Sequence, residues 1–278
     1  MNAVEVKELT KKFKGFTLDH VSFSLPAGCI MGLVGENGAG KSTTLKLLLN
    51  MIQKDSGRIT ILGKDEKNID KNEIGVVFDE CRFHESFTAK DINQVLKSIF
   101  QRWNEPQFFD YLNRFEVPSN KKLKEFSRGM KMKISIAAAV SHDAKLLLLD
   151  EPTSTLDPVV RDEMLDIFYD FISDEQHSII ISSHIVSDLE KVCDYIAFMH
   201  KGKMVLCEEK DRLLQECRLA QMSEAEFSAI DKDEIIGSRK TPFGITAVIR
   251  KAAATQIRNT QPINLEDLFV YMIRGEEK

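Results

Sequence analysis

The spacing of apolar residues divides the chain into stretches of different period. Between residues 3 and 23 apolar and polar positions alternate enough to suggest two or three short strands, "AVEVKELT" and then "FTLDHVSFSL", closed by Pro26 and Gly28. "CIMGLVGENG" reads as a buried strand running into a glycine loop, and "KSTTLKLLLNMI" follows with helical spacing. Two more strands are expected at "GRITILG" and "EIGVVFD". From about Thr88 to Ala144 the strand pattern stops, and "TAKDINQVLKSIF", "EPQFFDYLNRFEV" and "MKMKISIAAAV" carry helical periodicity. Strands return at "AKLLLLDEP" and then alternate with helices through "PVVRDEMLDIFYDFI", "HSIIISSH", "VSDLEKVC" and "DYIAFMH", closed by a short turn at "KGK".

Alternation of this kind implies a mostly parallel sheet covered on both faces, here interrupted by a helical insertion over residues 85–144. Beyond Leu206 the pattern weakens. "DRLLQEC" reads as a helix, "IIGSRKTPFGITAVIRK" as a hairpin and "NLEDLFVYMIRG" as a closing helix capped by Asn264. The expected organisation is a main domain over residues 1–215 and an accessory extension over 216–278.

Composition narrows the classes. With 43% apolar and 29% charged residues, the 278-residue chain can build a sizeable core, and its net charge of -5 gives no general attraction to nucleic acid. Cys29, Cys81, Cys193, Cys207 and Cys217 are scattered, with no CxxC pair, so reduced thiols are expected. No apolar run approaches the ~20 residues of a membrane span. The charged start "MNAVEVKELTKKFKG" lacks the apolar stretch of an export signal.

The chemistry lies at strand ends. "GENGAGKST" (35–43) fits G-x-x-x-x-G-K-[ST] between an apolar strand and a helix. Its glycines let backbone N–H groups turn onto phosphate oxygens, and the helix starting near Lys41 aims the positive end of its dipole at the same anion. Gly35, Glu36, Asn37, Gly38, Ala39, Gly40, Lys41, Ser42 and Thr43 are the candidate nucleotide loop. Within it Lys41 is suited to the β- and γ-phosphates and the Ser42 hydroxyl to Mg²⁺. "LLLLDEP" then delivers two carboxylates at the carboxyl end of a buried strand, where ligands of open α/β sheets bind. Asp150 suits the Mg²⁺ shell, and Glu151 suits polarising the attacking water. His184 ends the next apolar strand, where its imidazole can meet the γ-phosphate and that water. "FSRGM" (126–130), taken alone, is a helix start with Ser127 as its N-cap.

In their order and separations, "GENGAGKST", "FSRGM", "LLLLDEPTSTLD" and "SSH" resemble the ATP-binding subunit of an ATP-binding cassette (ABC) transporter over roughly residues 3–215. A finer resemblance is to the ATPase components of Gram-positive and clostridial export systems for drugs, bacteriocins or lantibiotics. The family implies an α/β P-loop NTPase core, RecA-like and mostly parallel with an antiparallel β subdomain. To this it adds an ABC-specific helical subdomain and, here, a small C-terminal α+β extension. It implies an ATPase using ATP and Mg²⁺.

Carried onto this chain, the aromatic that stacks on adenine falls on Phe13, with Phe16 as the alternative register. "STLD" matches the aspartate loop, with Asp157 in its key place and Thr155 where glycine is usual. His184 matches the switch histidine. "FSRGM" matches a signature usually written L-S-G-G-Q, keeping Ser127 and Gly129 but carrying Phe126, Arg128 and Met130 elsewhere. Arg128 either adds charge toward phosphate or is solvated. Where the family has a glutamine, "IGVVFDE" has Asp79, which can bind Mg²⁺ or its water but cannot donate as an amide does.

The resemblance also implies a cytoplasmic protein held on the inner face of the membrane by a separate permease. Such a protein works as a homodimer or as a heterodimer with a second ABC ATPase, and does not bind nucleic acid. Ser127 and Gly129 of one chain would then meet nucleotide held by the other. A soluble ABC ATPase not coupled to transport, such as an iron–sulfur assembly subunit, is the competing reading.

Overall fold

The computed structural model describes residues 1–154, 156–242, 244–254 and 257–276. A long hairpin of β1 (Asn2–Phe13) and β2 (Phe16–Pro26) leads to β3 (Ile30–Gly35), α1 (Lys41–Leu48), β4 (Ser56–Ile61), β5 (Lys64–Asp65) and β6 (Ile74–Val77). The helical insertion follows as α2 (Ala89–Ile99), α3 (Glu105–Arg114) and α4 (Arg128–Val140). Alternation resumes with β7 (Leu146–Asp150), α5 (Pro158–Ile172), β8 (Ser178–Ser183), α6 (Val186–Val192), β9 (Tyr195–His200) and β10 (Lys203–Glu209). The chain then runs through α7 (Lys210–Glu216), β11 (Cys217–Met222), α8 (Glu224–Ser228) and β12 (Ile235–Thr241). It closes with β13 (Gly244–Arg250), α9 (Lys251–Ala254), β14 (Thr260–Pro262) and α10 (Leu265–Glu276).

The uninterrupted apolar runs become the middle of the molecule. The central sheet has the order β10-β9-β3-β8-β7-β6, parallel from β9 to β6, with β10 antiparallel at one edge. Strands β3, β7 and β8 are buried along their whole length because both faces are covered. Alternation sorts their side chains. Leu147, Leu149, Ile179 and Ile181 enter a core shared with the helices of the insertion and with α5 and α6. Leu146, Leu148 and Ile180 enter a second core, shared with α1 and the antiparallel sheet β2-β1-β4-β5. Each such side chain contributes roughly 1.5–3 kcal/mol of burial.

Local signals set the insertion. Thr88 and Asp91 form a reciprocal capping box at the start of α2, and Asn104 caps α3 through the amide of Gln107. The buried faces of these two helices carry Ile92, Leu96, Phe108 and Leu112.

The C-terminal part holds a third sheet, β12-β13-β11-β14. The expected hairpin is β12–β13, and Asn264 accepts from the amide of Asp267 at 2.7 Å as the expected cap. Four strands escaped the sequence pattern: β5, β10, β11 and β14. No strand is read at β10, beyond the expected "KGK" turn, and "CRLAQM" of β11 lacks clean alternation because both its faces meet apolar side chains, Cys217 and Leu219 in the main core, Ala220 and Met222 in a third cluster. Helix α10 returns to the main core. Phe269 stacks on Phe198 with centroids 5.1 Å apart, and the Leu265 amide donates to Glu190 at 3.0 Å.

Candidate nucleotide site

Parallel strands β3, β7 and β8 all end on one edge of the central sheet, which brings Gly35, Asp150 and Ser183 together. The loop after β3 is shaped by glycine. A Cβ on Gly35 would lie 2.5 Å from the Met199 carbonyl oxygen, and Gly40, at φ 112°, turns the chain into α1. No side chain caps α1, so its first turn keeps N–H groups for an anion.

Lys41 is buried, donating to the Gly35 carbonyl at 2.6 Å and lying 3.5 Å from a Glu151 oxygen. Ser42 Oγ donates to Asp150 Oδ1 at 3.0 Å. The same Oδ1 accepts from Ser182 Oγ at 2.6 Å, a charge-assisted bond in a fully buried setting. Ser182 Oγ in turn accepts from the Glu151 amide at 3.1 Å. Glu151 itself sits at φ 51°, a left-handed conformation that a non-glycine residue holds only when its surroundings force it. Its second oxygen accepts from the His184 amide at 3.3 Å and lies 2.7 Å from His184 Nδ1. Glu151 is thus held between a lysine and a histidine.

An open cleft of about 390 Å³ lies over this cluster, walled by residues 36–38 and 40–43 together with Phe16, Asp79 and Glu151. Two expectations shift. Phe13 does not line the cleft; Phe16, across the tight β1–β2 turn, does, with the half-exposed Phe13 ring 6.3 Å from it. Gly35 and Ala39 lie in the loop but under it, packed toward the core rather than facing the opening.

Ser127, Gly129 and Asp157 do not line this cleft. Ser127 caps α4, its exposed Oγ accepting from the Met130 amide at 3.2 Å. Asp157 caps α5 through the amides of Val159 and Val160, both at 3.1 Å. A Cβ on Gly129 would come within 3.3 Å of Leu156, so the signature turn and the aspartate loop pack against each other. Thr155 lies outside the described residues.

Ser182 was not foreseen, although its signal, a polar pair ending an apolar strand, is visible in "SIIISSH". Nor was Asp188, a buried carboxylate that accepts from Thr153 at 3.0 Å, lies 3.6 Å from Arg161 and ties the segment after Glu151 to α6.

Residues 18–154 match the family model of the ABC transporter. The lantibiotic transport ATP-binding protein SrtF of Streptococcus pyogenes is 35% identical over 75% of this chain and 91% of its own. The chain belongs to the ABC transporter ATP-binding proteins. The ABC transporter ATP-binding protein YtrB of Bacillus subtilis (strain 168) is 28% identical over 99% of both chains, so that similarity continues through the third sheet. Among solved structures, the dimeric bacterial ABC transporter cassette MJ0796 superimposes with a TM-score of 0.67, covering 74% of this chain and 98% of that one. At 19% identity that likeness is one of fold. This ABC ATPase is an ATP-binding, ATP-hydrolysing transporter subunit with the expected α/β fold. No helix among the described residues is long and apolar enough to cross a membrane.

Proposed function

We propose that this ABC ATPase powers export through a separate permease, two cassettes closing face to face around ATP. The observation that carries this reading is a division of labour. Lys41, Ser42, Asp150, Glu151 and His184 are mutually bonded on one edge, while Ser127 and Gly129 stand away from the cleft that edge supports. A second chain, identical or related, would bring its Ser127 hydroxyl and the start of its α4 to the γ-phosphate.

Within one chain the phosphates rest on the loop amides and on Lys41, whose shift toward them releases Glu151 from its 3.5 Å contact. Glu151 then takes up a water proton, with His184 Nδ1 fixing the carboxylate and its Nε2 facing the γ-phosphate. The Ser42 hydroxyl and Asp150 carboxylate, with Asp79 on the same cleft, suit Mg²⁺. These oxygens would hold the ion through one or two of their number, leaving room for phosphate. Bound there, it would neutralise charge on the transferred phosphate.

Partner and place follow the same reading. An apolar groove of about 220 Å³ between the central sheet and the insertion, lined by Val76, Phe78, Phe83, Leu96 and Phe100, receives the permease, and the "FDECRFHE" loop passes motion to it. This puts the chain on the cytoplasmic face of the membrane. SrtF and the bacitracin transport protein BcrA of Bacillus licheniformis, 33% identical over 73% of this chain, support peptide antibiotics as the exported class. Residues 1–215 act as the cassette and 216–278 as an accessory extension.

Glu151→Gln tests the mechanism. ATP binding persists, hydrolysis falls by at least about a hundredfold, and an ATP-bound dimer accumulates on size-exclusion chromatography. Normal turnover would remove Glu151 from its role.

A further inference from the structure

The two motif departures with charged side chains, Asp79 in place of glutamine and Arg128 in the signature, face one cleft. This cleft, about 450 Å³, separates the loop after β6 from the first turn of α4 and is lined by Asp79, Glu80, Glu85, Arg128 and Lys131. Asp79 is also a wall of the nucleotide cleft, and so stands between the two openings. Opposite charges already join these elements: Lys131 Nζ lies 3.1 Å from Glu85 Oε1. With Lys131 engaged there, Arg128 is the remaining cation that shares the cleft lining with Asp79 and Glu80. On the loop itself Arg82 lies 4.0 Å from each of those carboxylates and over the Phe78 ring, so it flanks them from its own side. Three carboxylates and two cations thus line the cleft, with Arg82 beside it on the loop, and removing Arg128 leaves Lys131 as the one lining cation.

We propose that Arg128 is a positioning residue acting within its own chain: through Asp79 it sets how readily the nucleotide cleft offers that carboxylate to Mg²⁺. This rests on the reading of Asp79 as part of the Mg²⁺ site. A guanidinium facing a carboxylate competes with a divalent ion for it. The uncharged glutamine and glycine of the family pattern exert no such competition, so the two departures make sense as a pair and not singly. Both side chains are exposed to solvent, which screens the interaction and keeps the effect near threefold.

The test reads metal binding, not turnover. Mg²⁺ is titrated onto the full chain holding a fluorescent ADP analogue, with circular dichroism confirming that each variant is folded. Asp79→Asn raises the half-saturating Mg²⁺ concentration. Arg128→Gln lowers it about threefold while Asp79 is present, and leaves it unchanged in the Asp79→Asn background. Lys131→Gln moves it less, because that charge already answers Glu85. An equal Arg128→Gln shift in both backgrounds, or none in either, overturns the proposal. So does an Arg128→Gln loss of ATP-dependent pairing that is independent of residue 79, which would assign the guanidinium to the partner's nucleotide. An unchanged Mg²⁺ requirement in Asp79→Asn alone removes Asp79 from the metal site and the proposal with it. If only the Arg128 arm fails, the Mg²⁺ role of Asp79 stands.

Discussion

Ser182 is fully buried and donates its hydroxyl to Asp150 at 2.6 Å, whereas Ser127 is exposed and merely accepts from the amide of Met130 at 3.2 Å. Each belongs to one half of the nucleotide site proposed for this ABC ATPase. On the Ser182 side Lys41, Ser42, Asp150, Glu151, Ser182 and His184 are joined to one another by hydrogen bonds and close ion pairs. On the Ser127 side the polar groups satisfy their own helices and keep a face turned outward. A self-sufficient half tolerates little change, because removing one member strands a buried charge. A half that finishes only its own helix can be altered with small cost to folding and large cost to assembly.

The strongest test of that contrast is Ser127→Arg. A bulky cation at the helix start should abolish ATP-dependent pairing on size-exclusion chromatography while nucleotide affinity of the single chain stays unchanged. Weakened binding by the monomer would break the comparison. Next comes a pair of alanine substitutions followed by thermal melting. Ser182→Ala should cost about 2 kcal/mol, the worth of a hydrogen bond to a buried charge. Ser127→Ala should cost about 1 kcal/mol or less, the worth of an exposed cap.

A smaller effect sharpens the map of the cleft. Phe16→Ala should weaken nucleotide binding about fivefold, roughly 1 kcal/mol of lost ring stacking. Phe13→Ala, outside the cleft, should change it by less than about twofold. The smallest effect concerns acid. His142 lies between the insertion and the core, its ring nitrogens each 3.2 Å from a carbonyl, of Ala138 and of Ile74, and its ring stacked on Phe100. Burial holds its pKa below the ordinary histidine range despite those carbonyls. Below about pH 6.5 the unfolded chain therefore binds a proton that the folded chain refuses, and stability falls with pH until the folded group also titrates. His142→Gln should flatten that decline in melts between about pH 7 and 5.5.

What could be read from sequence alone follows the same divide. The phosphate loop, Asp150 and Glu151 were legible because contiguous residues on one strand end or one turn carry their own chemistry. Ser182 was not, since its partner lies 32 positions away and the two meet only through the Asp150↔Ser182 register of β7 and β8. Which of Phe13 and Phe16 lines the cleft depends on a hairpin that pairs those two residues with each other, which alternation alone does not reveal. Ser127 was legible as a cap and silent about the cleft, because a cap is local and a ligand site is not. In the C-terminal part the hairpin and the last helix announced themselves through turn and cap residues. The central strand β11 did not, since covering on both faces erases the two-residue rhythm on which such readings depend.

The stacking of Phe269 on Phe198 has a consequence for the order in which the protein is made. His184 and the side chains bonded around it leave the ribosome while Phe198, whose strand also carries the Met199 carbonyl beneath the glycine loop, still lacks its ring partner. Until α10 is synthesised and docks, one side of the main core stays open to water, and the nascent chain carries a sticky face beside the sheet edge that bears Asp150 and His184. Premature termination in the last sixth or so of the message would therefore yield an aggregating product and not a smaller working cassette.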